Sequence, residues 1–262
     1  MSSRIPAIVM TCQRYIPMTE HMIDRYDAAW PGHPFEFRVP EGEAARGLER
    51  RHRDRVVLVP TGEGEARGRF RAAVLGLLDG VGDDDWVYWC IDDKYVAWID
   101  RRLAEQVAAA LPAITDTAVS GLSFARTRNL AAIRSRHDTW RCGGLAFDRR
   151  HDYRQIWLHQ FLRAKVLRAL FGGFPEQIAS AKDMDDLHRR AVLPADHRLY
   201  VLDRNAVVFG ESTSRGRLTA NCAASMRRGR GLPEGFEVDR RRMFIGRRPS
   251  LLRRAVGAVF HR

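Results

Sequence analysis

Apolar and polar positions in this chain fall into two rhythms that succeed one another. Ile5 to Thr11 is an apolar run of strand length, and Met18 to Trp30 follows with Met22, Ile23, Tyr26 and Trp30 at helical spacing behind Thr19 as a candidate cap. Short strands are predicted from Phe35 to Val39 and from Arg55 to Val59, each closed by a proline, Pro40 and Pro60. Phe70, Val74, Leu77, Leu78 and Val81 mark one face of a helix that ends at Gly80 and Gly82. Trp86 to Ile91 is then an aromatic and β-branched strand that delivers Asp92 and Asp93 at its tip, with Lys94 and Tyr95 beyond.

Further along, Leu103, Val107 and Leu111 predict a helix from Asp100 to Leu111 with Pro112 past its end, and Ala118 to Phe124 reads as a strand. A long amphipathic helix is expected from about Arg154 to Phe171, carrying Ile156, Trp157, Phe161, Ala164 and Leu167 and stopped by Gly172-Gly173. Leu199 to Phe209 returns to strand character, and the Gly, Ser and Arg-rich stretch from Gly210 to Leu218 reads as a loop. Strands alternating with helices place the chain in the α/β class with a largely parallel sheet.

Composition narrows the class further. With 262 residues, 45% of them hydrophobic, the chain is long enough for one α/β unit with a sizeable core. There is no apolar run of membrane-spanning length, and Met1 to Met10 is too short and interrupted for a secretory signal, so a cytoplasmic location is expected. Cys12, Cys90, Cys142 and Cys222 lack the spacing of a zinc site or a disulfide framework and read as reduced thiols. The formal net charge is +12, and thirteen arginines against four acids lie between Glu211 and Arg262. That surplus favours phosphate-bearing partners: nucleotides, nucleic acid or an anionic membrane.

The acid pair carries the chemistry. In an open α/β sheet, ligands bind beyond the carboxyl ends of the strands, where Asp92 and Asp93 are expected. Hard carboxylate oxygens hold Mg²⁺ or Mn²⁺ while leaving positions for substrate phosphates, and they also accept hydrogen bonds from ribose hydroxyls. Both uses point to a nucleotide. Two adjacent acids equally suit a surface turn.

The order of these elements, with Ile91-Asp92-Asp93-Lys94 after the fourth predicted strand, resembles the nucleotide-sugar glycosyltransferases of the GT-A fold, a superfamily that includes family 2-like enzymes. The resemblance is strongest from residue 5 to residue 100. It implies a Rossmann-type mixed sheet flanked by helices, with one domain over residues 1–240, divided into a nucleotide-binding half (1–100) and an acceptor half with a donor-closing loop (101–240). In the family the acidic DxD element holds a divalent cation on the donor diphosphate, so the resemblance makes Asp92 and Asp93 metal ligands. The departure is Lys94, a cation able to neutralise a diphosphate without a metal. Both Mg²⁺ or Mn²⁺ dependence and metal independence follow as expectations.

The resemblance also assigns Thr11 and Arg14, in the turn after the first strand, to the donor nucleotide. Arg69, before the helix that starts at Phe70, and Arg215 and Arg217, in the late loop, are assigned to its phosphates. Glu176, Asp185 and Asp186 are the candidates for an acceptor-side base that takes the proton of an attacking hydroxyl. Asp183 and Asp186 also suit a helix N-terminus. From residue 241 to 262 the tail is basic and amphipathic, which suits an anionic lipid surface and a lipid-linked or glycan acceptor. Two other activities fit the same features. One is nucleotidyl transfer with two metals on the same acids. The other is nucleic-acid binding through arginines and the aromatics Trp86, Tyr88, Trp89, Tyr95 and Trp98, although no recognised module signature is present.

Overall fold

The computed structural model describes residues 4–61, 70–130, 133, 138–153, 155–178 and 181–239, with no side-chain description at 181 and 182. Arg69 and the tail from residue 240 onward therefore lie outside the described residues.

The chain opens with β1 (Ile5–Met10), α1 (Ile16–Ala29), β2 (Phe35–Pro40), α2 (Glu43–Arg51), β3 (Val56–Val59), α3 (Phe70–Leu77) and β4 (Trp86–Ile91). It continues through β5 (Lys94–Ile99), α4 (Arg101–Ala110), β6 (Val119–Ser123), α5 (Arg126–Asn129), β7 (Thr139–Cys142), β8 (Leu145–Arg150), β9 (Gln160–Arg163), α6 (Ala164–Gly172) and α7 (Ala181–Arg190). The last elements are β10 (Arg198–Leu202), β11 (Val207–Glu211), β12 (Thr213–Ser214), β13 (Arg217–Thr219), α8 (Ala220–Arg227) and β14 (Val238–Asp239).

Among the described residues nine strands form one mixed sheet in the order β3-β2-β1-β4-β9-β6-β10-β8-β7. Strands β3, β2, β1 and β4 are mutually parallel, and β9 runs antiparallel between β4 and β6. This is a Rossmann-type, GT-A-like α/β architecture with an irregular second half. Helices cover both faces, so the central strands are buried on both sides and read as continuous apolar runs. In β4, Tyr88 and Cys90 enter the core that holds Ile23, Tyr26 and Phe35. Val87, Trp89 and Ile91 enter the opposite core with Val74, Leu167 and Phe171.

Local signals account for the helix ends. Asp100 caps α4 by accepting a hydrogen bond from the Leu103 amide at 3.1 Å. α1 starts earlier than its periodicity predicts, at Ile16, with Pro17 in the first turn where its missing N–H costs nothing. Thr19 is thus inside the helix and not its cap. Among the described residues no helix is long and apolar enough to cross a membrane.

Three expectations are corrected. The long helix from Arg154 to Phe171 is instead a loop, strand β9 and helix α6. A strand buried on both faces, as Phe161 and Leu162 are, has no alternation to set it apart from a buried helical turn. The loop from Gly210 to Leu218 is a tight hairpin of β12 and β13, and Leu199 to Phe209 divides into β10 and β11. Arg215 (φ 51°) and Gly216 (φ 75°) both take the left-handed conformation that two-residue hairpin turns require.

Candidate active site at the carboxyl ends of β1 and β4

Strands β1 and β4 lie side by side with Met10 opposite Ile91, while β1 pairs on its other edge with β2. The chain winds outward from β1 to β3 and then returns to β4 on the opposite side. The strand order therefore reverses between β1 and β4, and such a point leaves a crevice beyond the strand ends. Thr11 and Asp92 are the first residues past those ends, and the Asp92 amide donates to the Met10 carbonyl at 3.3 Å.

Thr19 donates from its hydroxyl to Thr11 Oγ1 at 2.9 Å, which holds Thr11 beside Asp92. Burial pushes the Asp92 carboxyl up to about 8, with the Asp93 charge adding to the rise and the nearby Thr11 hydroxyl opposing it. Asp93 is raised by burial as well, against the pull of Lys94 and with Glu211 and Asp185 adding to it. Two carboxylates made costly to ionise together are a set that a cation relieves.

Lys94 is already engaged inside the protein. Its ammonium lies 2.7 Å from Asp93 Oδ1 and 3.1 Å from Glu211 Oε2, and its side chain is 9% exposed against 38% for Asp93. Lys94 and Glu211 are paired across the β5–β11 ladder. Arg128 of α5 reaches the other Glu211 oxygen at 3.3 Å. Burial works against the charged ammonium, and the two carboxylates outweigh it, so Lys94 is held above its ordinary value.

The turn after β1 forms the other wall. The charges of Asp92 and Asp93 both act on the Tyr15 phenol, whose pKa is raised first by burial. A Cβ added to Gly216 would stand 4.0 Å from the Tyr15 hydroxyl, so the β12–β13 turn approaches this wall. A backbone bond ties the same hairpin to the acids, the Ser212 amide donating to the Asp93 carbonyl at 2.7 Å, and Thr219 closes the hairpin by donating from Oγ1 to the Glu211 carbonyl at 2.7 Å. The Arg14 guanidinium sits 5.5 Å from the Phe236 ring centroid, beside a cleft of about 470 Å³ that Ile16, Glu20 and Arg51 also line. Arg230 holds the wall formed by the later segment against α1, donating to Asp24 at 2.7 and 2.9 Å.

Of the acceptor-side candidates, Asp185 in α7 is close enough for its charge to raise Asp93. Its neighbour His188 stands 3.8 Å away and accepts from Trp157 Nε1 at 3.2 Å. Asp186 faces Arg189 at 3.5 Å, and Glu176 is exposed in the segment after α6. Arg217 pairs with Glu237 at 3.0 Å on the surface. Thr11, Tyr15, Asp92, Asp93, Asp185 and the Arg215–Gly216 turn thus share one region, whereas Glu176, Asp186 and Arg217 have separate surroundings.

Sequence reading missed the support beneath the acids. His159 is fully buried and donates from Nε2 to the carbonyl of Ile91 at 2.9 Å, which leaves Nδ1 to accept from the Tyr26 hydroxyl at 2.8 Å. Tyr26 is in turn 2.8 Å from the Tyr88 hydroxyl. Burial lowers His159 to about 3, so the imidazole is neutral. Glu211 and Arg128 were missed as well. None of these has a local signature, because each partner lies far along the chain.

Among the described residues no group of three or more His, Cys, Asp or Glu side chains is placed to hold a metal ion. The donors present are two carboxylates and the Thr11 hydroxyl, a hard-oxygen set that fits Mg²⁺ or Mn²⁺ where phosphate oxygens and water complete the shell.

No protein-family model matches the chain, and no curated protein matches it either. Among solved structures it is similar to TarS residues 1–349 of S. aureus, with 16% identity and a TM-score of 0.43 over 78% of this chain and 59% of that one. It is similar to 4-diphosphocytidyl-2C-methyl-D-erythritol synthase, with 15% identity and a TM-score of 0.42 over 87% of this chain and 98% of that one. A third likeness is to mannose-1-phosphate geranyltransferase from Thermus thermophilus, with 14% identity and a TM-score of 0.38 over 80% of this chain and 76% of that one. The chain spans 59% of the TarS fragment, and likeness at these identities concerns the fold alone.

Proposed function

We propose that the chain is a transferase for a nucleotide-activated substrate and that it moves a sugar from a nucleotide-sugar donor to a hydroxyl acceptor. The observation that carries this reading is the pair Asp92 and Asp93 at the point where the strand order reverses. The donor diphosphate lies across the ends of β1 and β4, beside Thr11 and Arg14, with Arg215 approaching from the hairpin. Asp92 and Asp93 would hold Mg²⁺ or Mn²⁺, which would supply positive charge for the departing diphosphate. Asp185 takes the proton of the acceptor hydroxyl as its oxygen bonds to the anomeric carbon, and the bond from that carbon to the diphosphate oxygen breaks with its electron pair leaving on the diphosphate. Acids on the acceptor side suit a neutral hydroxyl better than a phosphate, which they would repel.

Nucleotidyl transfer is the second reading, and the crowding of charge on Asp93, which raises Asp92 and is itself raised by Asp185, favours it, because two divalent ions would relieve it. Product analysis separates the two: sugar transfer releases a nucleoside diphosphate, and nucleotidyl transfer releases pyrophosphate. Asp92→Asn and Asp93→Asn should each lower turnover by about 10²–10³-fold with the fold retained. Undiminished turnover in both variants would remove the acids from the mechanism. Nucleic-acid binding loses support because Tyr88, Trp89 and Tyr95 are buried and cannot stack on bases. A lipid-linked acceptor, contact with anionic lipid and a cytoplasmic location rest on sequence, the first two on a tail outside the described residues.

A further inference from the structure

The peptide unit between Ile91 and Asp92 is held at both of its polar groups. Its N–H, on Asp92, donates to the Met10 carbonyl at 3.3 Å, and its C=O, on Ile91, accepts from His159 Nε2 at 2.9 Å. In a trans peptide these groups point to opposite sides of one plane, so the plane cannot turn without losing a bond. That plane ends at the Cα of Asp92, and its setting directs the Asp92 side chain.

The histidine is held in turn. Its Nδ1 accepts from the Tyr26 hydroxyl at 2.8 Å, and the Tyr26 oxygen lies 2.8 Å from the Tyr88 hydroxyl, which is left to donate. The donors therefore run from Tyr88 in β4 through Tyr26 in α1 and His159 beside β9, and return to β4 at Ile91. The ring of His159 is fully buried, stacked on Tyr26 with centroids 5.9 Å apart and tilted against Phe209 of β11 at 4.8 Å. Phe209 stands two residues before Glu211, the partner of Lys94. One imidazole thus touches both strands that deliver charged groups to the crevice.

We propose that His159 is a positioning residue: through the Ile91 carbonyl it sets the direction of Asp92, and the affinity of the crevice for a divalent ion with a nucleoside diphosphate depends on it. The role rests on the reading of Asp92 and Asp93 as the donor-side acids. Any buried group of the right volume would fill the space beneath β4, but only a donor at the place of Nε2 holds the peptide plane.

Two amide side chains divide the two bonds of the ring. His159→Asn sets its oxygen at about the place of Nδ1, so it keeps the Tyr26 bond and falls short of Ile91, whereas His159→Gln reaches far enough to donate to the Ile91 carbonyl. In metal-free protein, hydrogen exchange of the Asp92 amide should quicken about 10-fold in His159→Asn, measured against the Phe37 amide in β2, and return towards the wild-type rate in His159→Gln. Titration calorimetry with Mn²⁺ and UDP, GDP, CDP or ADP, whichever the wild type binds most tightly, should show affinity about 10–100-fold weaker in His159→Asn and largely regained in His159→Gln. Either quantity unchanged in His159→Asn overturns the proposal, as does an equal loss in both variants, which would mark a packing role. Asp92→Asn separates this from the reading beneath it. If that variant binds as the wild type does, or if no nucleotide binds, the donor reading fails, and the ligand-free exchange alone decides whether His159 sets the peptide. If His159→Asn does not fold, Tyr26→Phe takes its place, because the ring then loses the bond that aims Nε2–H at Ile91. The same changes at smaller size support the proposal, and their absence overturns it.

Discussion

His159 donates a hydrogen bond to the carbonyl of Ile91 at 2.9 Å, one residue before the acid pair. The bond fixes the last peptide of β4 from below, and the tyrosine pair behind His159 fixes its tautomer. A neutral imidazole is built into this arrangement, because a protonated ring could not accept from Tyr26.

Acid should therefore unfold the protein early. His159 is lowered to about 3 and His21 to about 4, both through burial, from an ordinary value of 6.5. Below pH 6.5 the unfolded chain takes up protons that the native chain refuses, so stability falls with pH, by about 1.4 kcal/mol per unit for each such histidine, until its folded value is reached. Denaturant unfolding between pH 7 and pH 5 should show this slope, and His159→Gln should reduce it.

Asp92 gives the opposite sign. Its folded pKa of about 8 lies above the ordinary 3.8, so the native state binds the extra proton between those values. Its stabilising contribution is complete below about pH 4 and is lost as pH rises through 8. Asp92→Asn should consequently become more stable relative to the wild type as pH rises from 5 to 8. Mg²⁺ or Mn²⁺ with a nucleoside diphosphate should narrow that difference by stabilising the wild type alone.

Removing the Lys94 ammonium leaves Asp93 and Glu211 facing each other across the β5–β11 ladder. Lys94→Met is expected to destabilise the fold toward the low end of the roughly 3–5 kcal/mol for breaking a buried pair, since both carboxylates keep some contact with solvent. Adding Glu211→Gln should restore part of the loss, and a double-mutant cycle by denaturant unfolding measures the coupling.

On the acceptor side, Asp185→Asn should lower kcat by about 10²–10⁴-fold and leave donor KM nearly unchanged, as expected for a base that touches only the acceptor. Asp186→Asn, whose carboxyl faces Arg189, should change kcat little. Steady-state kinetics of the two variants side by side check the assignment.

The elements that sequence made legible are those whose periodicity is decided locally. β1, α1, β2, β3, α3, β4, α4 and β6 were all readable from apolar spacing and from Gly or Pro at their ends, and the Asp92-Asp93 address followed from them. β9 was not, because Phe161 and Leu162 are buried on opposite faces and Gln160 and Arg163 satisfy their polar groups inside. The partners of Lys94 and His159 were also invisible, since Glu211 lies 117 positions from Lys94 and Tyr26 lies 133 positions from His159. No pattern within a window of chain announces such a meeting.

The hairpin that follows β11 has one more implication. Because Ser212 grips the Asp93 carbonyl and Glu211 restrains Lys94, the geometry of the acidic turn is completed by chain that emerges from synthesis more than a hundred residues after it. A truncated product ending before Glu211 could assemble all four leading strands and still lack the Ser212 clasp on Asp93 and the Glu211 hold on Lys94, so competence would arrive late, only once the distal segment has docked.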